Sequence, residues 1–475
     1  MRAVASWISL LTVALYEVVS PLAAPLTLQD AIRLARDHHP AIEAQRGQRL
    51  AALGREQQAL ARLLPFVEGT FAYQPTTPNL VPTPPEARAL LRSTGQDTVV
   101  DAGGMPTVVT CRSPSVGNCA PIPPSATIWT PQSFWLAQVG LTWTAWDWGR
   151  SIHGYRGARD LTAAADVGVR AAELDVTLQV ELAFFAVLTA DQQVTVADDA
   201  VKTYQAHLAQ TKTLHASGLR TGIDVATAES AEASAEISLA RTRAARETAR
   251  AQLQVALGVD EWRDWTLVID PATFELQSID EQRAEAPVDV LVATASKQRP
   301  DLEELRLEER GQGASVQSTR GSYLPQLTLS LSPEWAGPAL SSLTPNLTFM
   351  VGLGYPTGGM SPLLVHGQTR EAEGSLVGVR AQRRAALEAA RAETLTARAS
   401  LAAARDSLAF ARVLAEAAAR QRGLAEGRYQ TGVGNVIELY DALLTDVNAR
   451  FQLVQARLDL ATARVRMQHA LGEGP

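Results

Sequence analysis

The sequence predicts a mostly helical protein with four membrane β-strands, built from two copies of one unit. Residues 132–270 and 363–474 contain no proline. A leucine–proline pair occurs at residues 64–65 and again at 324–325, and each pair is followed by residues that alternate between apolar and polar. Because helices and strands impose periods of 3.6 and 2.0 residues, these patterns indicate long helices that lead into strands.

Composition excludes several classes of protein. The chain has 475 residues, of which 46% are hydrophobic and 20% charged, with a net charge of -7. A nucleic-acid-binding protein normally presents a basic face, so no nucleic-acid partner is expected. Metal-binding HExxH spacing, a glycine-rich phosphate loop and a nucleophile elbow are all missing from the sequence, so neither an enzyme nor a cofactor is predicted. His38 and His39 precede Pro40 near a helix end, where capping or exposure is expected rather than metal binding.

The N-terminus indicates export. Residues 1–24 contain Arg2, an apolar run over 7–15 and the small residues Ala23 and Ala24, which is the pattern of a signal peptide. An uncleaved N-terminal helix is the alternative.

The two cysteines lie close together in the sequence. Cys111 and Cys119 fall within the stretch 76–131, and in an exported protein this spacing favours a disulfide. Two free thiols are the alternative.

Each proline-free tract predicts an antiparallel helical hairpin. A helix over 152–214 would be roughly 95 Å long at 1.5 Å per residue, a length typical of coiled coils. The first tract is interrupted at LHASGLRTGIDVATAE (214–229) and the second at RYQTGVGNVIELYDAL (428–443), which align Gly218 with Gly432. Glycine suits the left-handed position that ends a helix, so both stretches are predicted turns.

The upstream segments show the same duplication. Residues 28–45 parallel 290–305, and the interval from Pro40 to Pro65 is 25 residues, as is that from Pro300 to Pro325. We therefore predict a first repeat over 25–258, a linker or equatorial segment over 259–287, and a second repeat over 288–475. The extra length of the first repeat lies in a loop over 76–131.

Four segments alternate strictly enough to predict strands with one apolar face. The apolar sets are Val67, Phe71 and Tyr73; Trp135, Ala137, Val139, Leu141, Trp143 and Ala145; Leu327, Leu329 and Leu331; and Leu347, Phe349, Val351, Leu353 and Tyr355. Lengths near ten residues, with aromatic residues towards the ends, are typical of transmembrane barrel strands. A soluble sheet packed on helices is the alternative, but the adjoining helices are polar.

Four strands cannot close a barrel. A membrane tolerates no open sheet edge, and about eight strands form the smallest filled barrel. Two copies would give eight strands, and three would give twelve with space for a pore. Pro65 and Pro325 are then the joints at which a helix ends and a membrane strand begins.

Taken together, these features resemble the TolC-type outer-membrane efflux proteins over residues 28–472. The paired Leu-Pro joints and the two turn motifs are the most specific elements, and Trp146, Asp147, Gly149 and Arg150 are similar to the strand-to-helix junction of the family. The resemblance implies a homotrimer in outer-membrane lipid, with a shared twelve-stranded β-barrel and a periplasmic α-barrel. It also implies docking to a periplasmic adaptor protein and an inner-membrane transporter.

The resemblance further suggests which residues act at the periplasmic end. Glu438 and Asp441, with Asp224 as a lesser neighbour, correspond to the acidic constriction of the tunnel. The adaptor would contact the helical tips, formed by Gly218, Leu219, Thr221, Thr431, Gly432 and Val433. The loop 76–131 would lie outside the cell.

The predicted function is a channel-tunnel that carries substrates from the adaptor and pump to the cell exterior, in efflux or type I secretion. A soluble periplasmic coiled-coil scaffold or adaptor is the alternative, since the helices alone would suit it. The sequence names no cargo, because a wide polar tunnel suits drugs, metal ions, polypeptides and siderophores equally.

Overall fold

A computed structural model of the chain describes residues 25–75, 97–100, 106–109, 135–259, 263, 265–268, 278–337, 339–355 and 361–474. Its first half contains β1 (Pro25–Leu26), α1 (Leu28–His38), α2 (Pro40–Ala61), β2 (Phe66–Tyr73), β3 (Asp97–Val100), β4 (Pro106–Val109), β5 (Trp135–Trp146), α3 (Arg150–Ala216) and α4 (Gly222–Leu257). Its second half contains β6 (Thr266–Leu267), α5 (Ser278–Glu285), α6 (Val288–Gln298), α7 (Pro300–Arg320), β7 (Gln326–Gly337), β8 (Thr344–Gly354), α8 (Pro362–Gln430) and α9 (Val436–Leu471). Two short helices, two strands and two long helices thus occur in the same order twice.

The chain forms two compact units. The helical unit comprises residues 1–48, 166–304 and 384–475, and the sheet unit comprises 49–165 and 305–383. Several expectations fall on residues outside the described ranges: the signal peptide 1–24, the disulfide between Cys111 and Cys119, and most of the loop 76–131. Within that loop the structure describes one antiparallel pair, β3 with β4.

The sheet unit contains a four-stranded antiparallel sheet in the order β2-β5-β7-β8. Its register places the predicted apolar residues on one face, in rows such as Val67–Leu141–Leu331–Phe349. The opposite face is polar, and there Asn346 Nδ2 donates to Glu334 Oε1 at 2.6 Å. The predicted faces are confirmed except for Ala145, and Tyr355 lies just beyond the end of β8.

Two details of the sheet depart from simple alternation. A bulge between Thr144 and Trp146 pairs Trp146 with Leu327, so Trp146 rather than the predicted Ala145 occupies the apolar face at that end. Pro333 lies inside β7, and the ladder to β5 skips the opposite positions. Proline has no N–H to donate, which accounts for the gap.

The helical unit owes its close helix packing to alanines spaced seven residues apart. On α8 the buried alanines are Ala390, Ala397, Ala404, Ala411, Ala418 and Ala425. On α9 the seven-residue series is Ala442, Ala449, Ala456, Ala463 and Ala470, and Ala461 is buried outside that series. Buried Leu401, Leu408, Leu460 and Met467 stand between them in the same core cluster. A strict seven-residue repeat is the coiled-coil pattern, and the small side chain lets the two backbones approach closely.

Two further clusters join the first hairpin to the rest of this unit. One buries Tyr204 and Leu208 of α3 with Leu439 and Leu443 of α9. The other packs α1 against α3 and α4, with Phe184 and Phe185 at its centre. Among the described residues, no helix is long and apolar enough to cross a membrane.

Candidate functional site

The two helical tips have the same backbone turn. Gly218 and Gly432 have φ of +73° and +79°, the left-handed conformation that glycine adopts without a Cβ clash. At the first tip Leu219 N donates to Leu214 O at 2.9 Å. At the second, Val433 N donates to Arg428 O at 3.1 Å. This is the Schellman arrangement, so each glycine ends its helix in the way that the sequence pattern suggests.

Each tip starts its second helix with a polar cap. Thr221 precedes α4, and its backbone N–H donates to Asp224 Oδ2 at 3.0 Å. Asn435 precedes α9, and its Oδ1 accepts from Ile437 N at 3.3 Å. Caps of this kind satisfy N–H groups that a helix leaves free. Asp224 therefore helps to cap the N-terminus of α4.

The tips expose apolar side chains in matched pairs. Leu219 and Val433 are 71% and 75% exposed, and one turn later Ile223 and Ile437 are 74% and 59% exposed. Leu219 and Val433 were predicted as contact residues from the sequence, but Ile223 and Ile437 were not, although they occupy equivalent positions of the two repeats. The sequence does contain a pattern that could have identified them: in both repeats an isoleucine directly precedes the acid at the third position of the helix, Asp224 or Glu438. Such side chains have no core to fill, which is typical of contact surfaces.

Contacts between the two hairpins join the tips. The guanidinium carbon of Arg220 lies 4.4 Å from the centre of the Tyr429 ring, a cation–π geometry. The Tyr429 hydroxyl lies 3.2 Å from Thr211 Oγ1. Tyr204 and Tyr440 stack with ring centres 5.9 Å apart, and burial raises the pKa of Tyr440 to about 12. The tips are thus tied together by side chains from α3, the first turn, α8 and α9.

The two acids of the predicted constriction have different surroundings. The Glu438 carboxylate lies 3.3 Å from Arg428 Nε, and both side chains are about half exposed. Asp441 is exposed, and its carboxylate has no ion-pair or hydrogen-bond partner among the residues that the structure describes. Spacing of three residues places both acids on one face of α9. Asp441 is therefore the freer of the two charges.

A buried charge cluster lies one turn further along α9. Asp446 is 2% exposed. It precedes Leu453 and Leu460 by seven and fourteen residues, so it lies on the face of α9 that packs into the core. Its Oδ2 lies 3.2 Å from Arg422 NH1 and 3.0 Å from Arg450 Nε. A buried carboxylate needs such partners, because an unpaired one would cost several kcal/mol.

At the other end of α9, His469 bridges two carboxylates. Its Nε2 lies 2.8 Å from Asp175 Oδ1 and its Nδ1 lies 3.1 Å from Glu393 Oε1. Carboxylates only accept hydrogen bonds, so both ring nitrogens donate and the imidazole is a cation. Burial alone would lower the pKa of His469, but these two contacts outweigh it and raise the pKa to about 9. Arg299 also contacts Glu393, at 2.5 Å.

In the sheet unit, tryptophans tie the strand-to-helix junction to both proline joints. Trp143 Nε1 donates to Leu63 O at 3.0 Å, beside Pro65. Trp148 Nε1 donates to Pro325 O at 2.9 Å, and Trp148 has φ of +58°, which is uncommon for a bulky residue. The long-range hydrogen bond holds that conformation. Trp148 was missed by the sequence analysis, which named its neighbours.

Aromatic residues also mark the far end of the sheet. The Tyr73 and Trp135 rings are 4.5 Å apart, and Phe71 lies 5.7 Å from the same indole. Tryptophan and tyrosine concentrate where a membrane meets water, because their rings are apolar with one polar atom. Aromatic groups at both ends of the strands fit an apolar band between two interfaces.

Below the strands, a cavity of about 900 Å³ is lined mainly by hydroxyl, amide and small side chains. Its charged members are Arg62, Arg150 and Glu371. Most of the lining side chains therefore carry a group that can form a hydrogen bond with water. The described residues also contain no group of three or more side chains suited to hold a metal ion.

The sequence is similar to a known family of outer membrane proteins. The sequence profile of the "Outer membrane efflux protein" family matches residues 130–259 and 291–473. The pyoverdine export outer membrane protein OpmQ of Pseudomonas aeruginosa is 24% identical over 331 residues, which cover 69% of this chain and 67% of OpmQ.

Solved structures show the same fold. The CmeC outer membrane channel of Campylobacter jejuni superposes with a TM-score of 0.75 at 14% identity, over 94% of this chain and 85% of CmeC. VceC from Vibrio cholerae superposes with a TM-score of 0.70 at 16% identity, over 94% and 96% of the two chains. The profile match covers well over half of the sequence. The chain therefore belongs to the outer membrane efflux protein family, and it is a channel of the outer membrane with its helical tunnel in the periplasm.

Proposed function

We propose that three copies of the chain share one twelve-stranded barrel and form a continuous exit duct from the periplasm. The support is the two outer edges of the sheet. The strands β2 and β8 lie at its two ends, and among the described residues each is paired with a strand on one side only. Phe66 and Phe71 on β2 and Phe349 and Leu353 on β8 are all more than 60% exposed. In lipid such edges must be paired, and the chain's own β2 and β8 are the available partners.

The long helix α8 supports the same assembly. Phe410, Val413, Leu414 and Leu424 are 73%, 63%, 41% and 72% exposed and follow an i, i+3, i+4, i+14 pattern. That spacing makes one apolar stripe, on the face away from the buried alanine seam. Exposure of this apolar stripe to water would be unfavourable. A neighbouring protomer is the partner that we propose for it.

We propose that the tips dock a periplasmic adaptor that works with an inner-membrane transporter. The exposed apolar pairs at Leu219 and Val433, and at Ile223 and Ile437, support this role. Thr221 and Thr431 lie in the same turns, and Thr431 Oγ1 donates to its own helix at 3.1 Å. Contact would therefore come mainly from the apolar side chains.

We further propose that Asp441, with Glu438, forms an acidic constriction where three protomers meet. Threefold repetition would gather six carboxylates near one axis. Rings of carboxylates favour cations and oppose anions at a narrow point. Because Arg428 partly neutralises Glu438, Asp441 would contribute the larger share of the field. Asp224, which caps α4, would contribute least.

The cargo that we propose is a water-soluble compound in efflux or secretion. OpmQ is named for pyoverdine export, which is one member of that class. The cavity below the strands supports this class, since most of its lining side chains carry a hydroxyl, amide or charged group. The loop 76–131, with its proposed disulfide, would face the cell exterior.

Disulfide trapping across the proposed strand seam tests the assembly. Cys111 and Cys119 are first replaced by Ser, and cysteine is placed at Thr70 on β2 together with Asn346, Thr348 or Met350 on β8. These positions share the polar face. At least one pair should give a covalent trimer in membranes, because paired strands bring Cα atoms within about 6 Å. The control pairs Phe71, on the opposite face, with the same β8 positions. If every pair remains monomeric while the protein is folded in the membrane, the shared barrel is wrong.

A further inference from the structure

The helical unit contains a small crevice between α3, α4 and α9, close to the tips. Its volume is about 270 Å³. Its lining residues are Ala197, Ala200, Tyr204, Ala231, Ser234, Ala235, Ser238, Tyr440, Asp441, Leu444, Val447, Asn448 and Phe451. Pockets for drug-sized ligands usually begin at about 300 Å³, so this space fits a smaller molecule.

The crevice exists because side-chain sizes are mismatched at this level. Ala197 and Ala235 are buried on its floor, whereas Tyr204, Leu208 and Leu239 of the same cluster fill the space between the helices nearby with larger side chains. On α9 the spacing of Asp441, Leu444 and Phe451 places them on one face above this floor. The alanine side chains of the floor are too short to contact these three side chains, and an open slot remains between them.

The lining defines the chemistry of an occupant. Most of the lining is alanine, leucine, valine and aromatic carbon, which favour an apolar body, and Ser234, Ser238 and Asn448 add polar groups. Among the residues that the structure describes, Asp441 is the one acidic group in the lining, and no basic residue contributes to it. The Asp441 carboxylate has no ion-pair or hydrogen-bond partner among the described residues, so it is available to an external cation. An anion would meet repulsion, and a neutral molecule would leave this charge unused.

We propose that the crevice binds a small organic cation, with its apolar body in the slot and its ammonium group beside Asp441. The ligand would contact α3 and α4 on one side and α9 on the other. A molecule that binds one arrangement of these helices stabilises that arrangement by mass action. The bound cation would therefore hold α9 in its packed position against the first hairpin. This inference requires the crevice and Asp441 only, and not the ring of acids.

Binding of benzyltrimethylammonium to the purified detergent-solubilised protein tests this site, with calorimetry or ligand-observed NMR as readout. We expect a millimolar Kd, as is ordinary for a ligand of this size. Tetramethylammonium, which has the charge without the body, and benzyl alcohol, which has the body without the charge, should each bind more weakly. Asp441→Asn should weaken binding of benzyltrimethylammonium about 5-fold, the value of one exposed ion pair.

Crevice-filling variants separate this site from the general acidity of the tip. Ala231→Leu and Ser234→Leu place bulk in the slot and leave every acid in place, so they should abolish binding. Glu438→Gln, which removes an acid outside the lining, should leave the Kd within 2-fold. Unchanged binding in both filling variants, or equal losses in Glu438→Gln and Asp441→Asn, would overturn the proposal. Block by a trivalent inorganic cation reports the constriction separately, since it should survive in the filling variants.

Discussion

At the scale of single residues, the charges of the helical unit differ in how far they are neutralised. The Asp441 carboxylate has no partner within the described part of the chain, Glu438 forms an ion pair with Arg428, and His469 lies between two acids. These environments decide what each charge contributes. A free charge acts on ions in solution, whereas a paired charge acts mainly on stability.

The acidic constriction gives the first prediction at this scale. Asp441→Asn should reduce cation preference and block by multivalent cations more than Glu438→Gln does, because Arg428 already offsets Glu438. Planar-bilayer recordings of reversal potential and block measure both effects. Asp459→Asn, an exposed acid on the same helix, is the matched control. Equal and unchanged selectivity in Asp441→Asn and the control would end the assignment of the constriction.

The second residue prediction concerns His469 and pH. Its folded pKa of about 9 lies above the ordinary histidine pKa of 6.5, so the stabilisation is complete below pH 6.5 and is lost as pH rises towards 9. His469→Gln should therefore lower the free energy of unfolding by on the order of 2 kcal/mol at pH 6, after allowance for solvent screening. Near pH 9.5 the difference should be small. Thermal midpoints by circular dichroism across this range measure it, and a difference that grows with pH would contradict the bridge.

At the scale of elements, the alanine repeat of α8 and α9 sets how closely the second hairpin packs. Eleven buried alanines on the two helices fall at seven-residue intervals. Their small size allows close approach, but leaves no room for a larger group. The same helices become polar or aromatic in the seam near the tip, where Arg422 and Tyr429 replace leucine.

Overpacking of this seam should be costly. Ala404→Leu inserts three carbons into a core cluster and should destabilise the protein by about 1 to 3 kcal/mol. Ala419→Leu, at an exposed position of the same helix, should be close to neutral. Thermal unfolding of the two variants in the same detergent makes the comparison. Equal midpoints would show that the seam is looser than its spacing indicates.

The tips give a second prediction for elements. Replacement of Ile223 and Ile437 by Ser should weaken capture of the adaptor about as much as replacement of Leu219 and Val433, because all four side chains are exposed alike. Site-specific photocrosslinking in cells that express the cognate adaptor measures capture. Capture that persists at full yield in both double variants would exclude the tips as the docking surface.

At the scale of the whole molecule, assembly should depend on the apolar stripe of α8 as well as on the strand edges. Phe410→Asp with Leu424→Asp places charge on the stripe without touching the alanine seam. These changes should weaken the trimer in detergent, because a desolvated charge has no partner across the proposed interface. Ala419→Asp, at an exposed position of the same helix about half a turn round from Phe410, is the control. Native mass measurement of the three proteins gives the result, and a stable trimer in the double variant would place the contact elsewhere.

Local pattern was sufficient for much of this protein. The helix-ending glycines at 218 and 432, the two hairpins and the strand faces depend on backbone preference and on periods of 3.6 and 2.0, which are written along the chain. The Leu-Pro joints could also be predicted, because proline restricts the backbone locally. The family resemblance then followed from the order of these elements, since each occurs twice.

Contacts between distant segments decided the rest. The bulge that exchanges Ala145 for Trp146, the hydrogen bond from Trp148 to Pro325 and the pairing of Glu438 with Arg428 each need two parts of the chain to meet. The crevice beside Asp441 needs three helices, and its emptiness comes from the mismatch of their side-chain volumes. The sequence by itself determined which elements form and which faces they bury, because those are local properties. Only the tertiary structure decided which charges are free and where space remains, because charge pairing and volume are properties of packed neighbours.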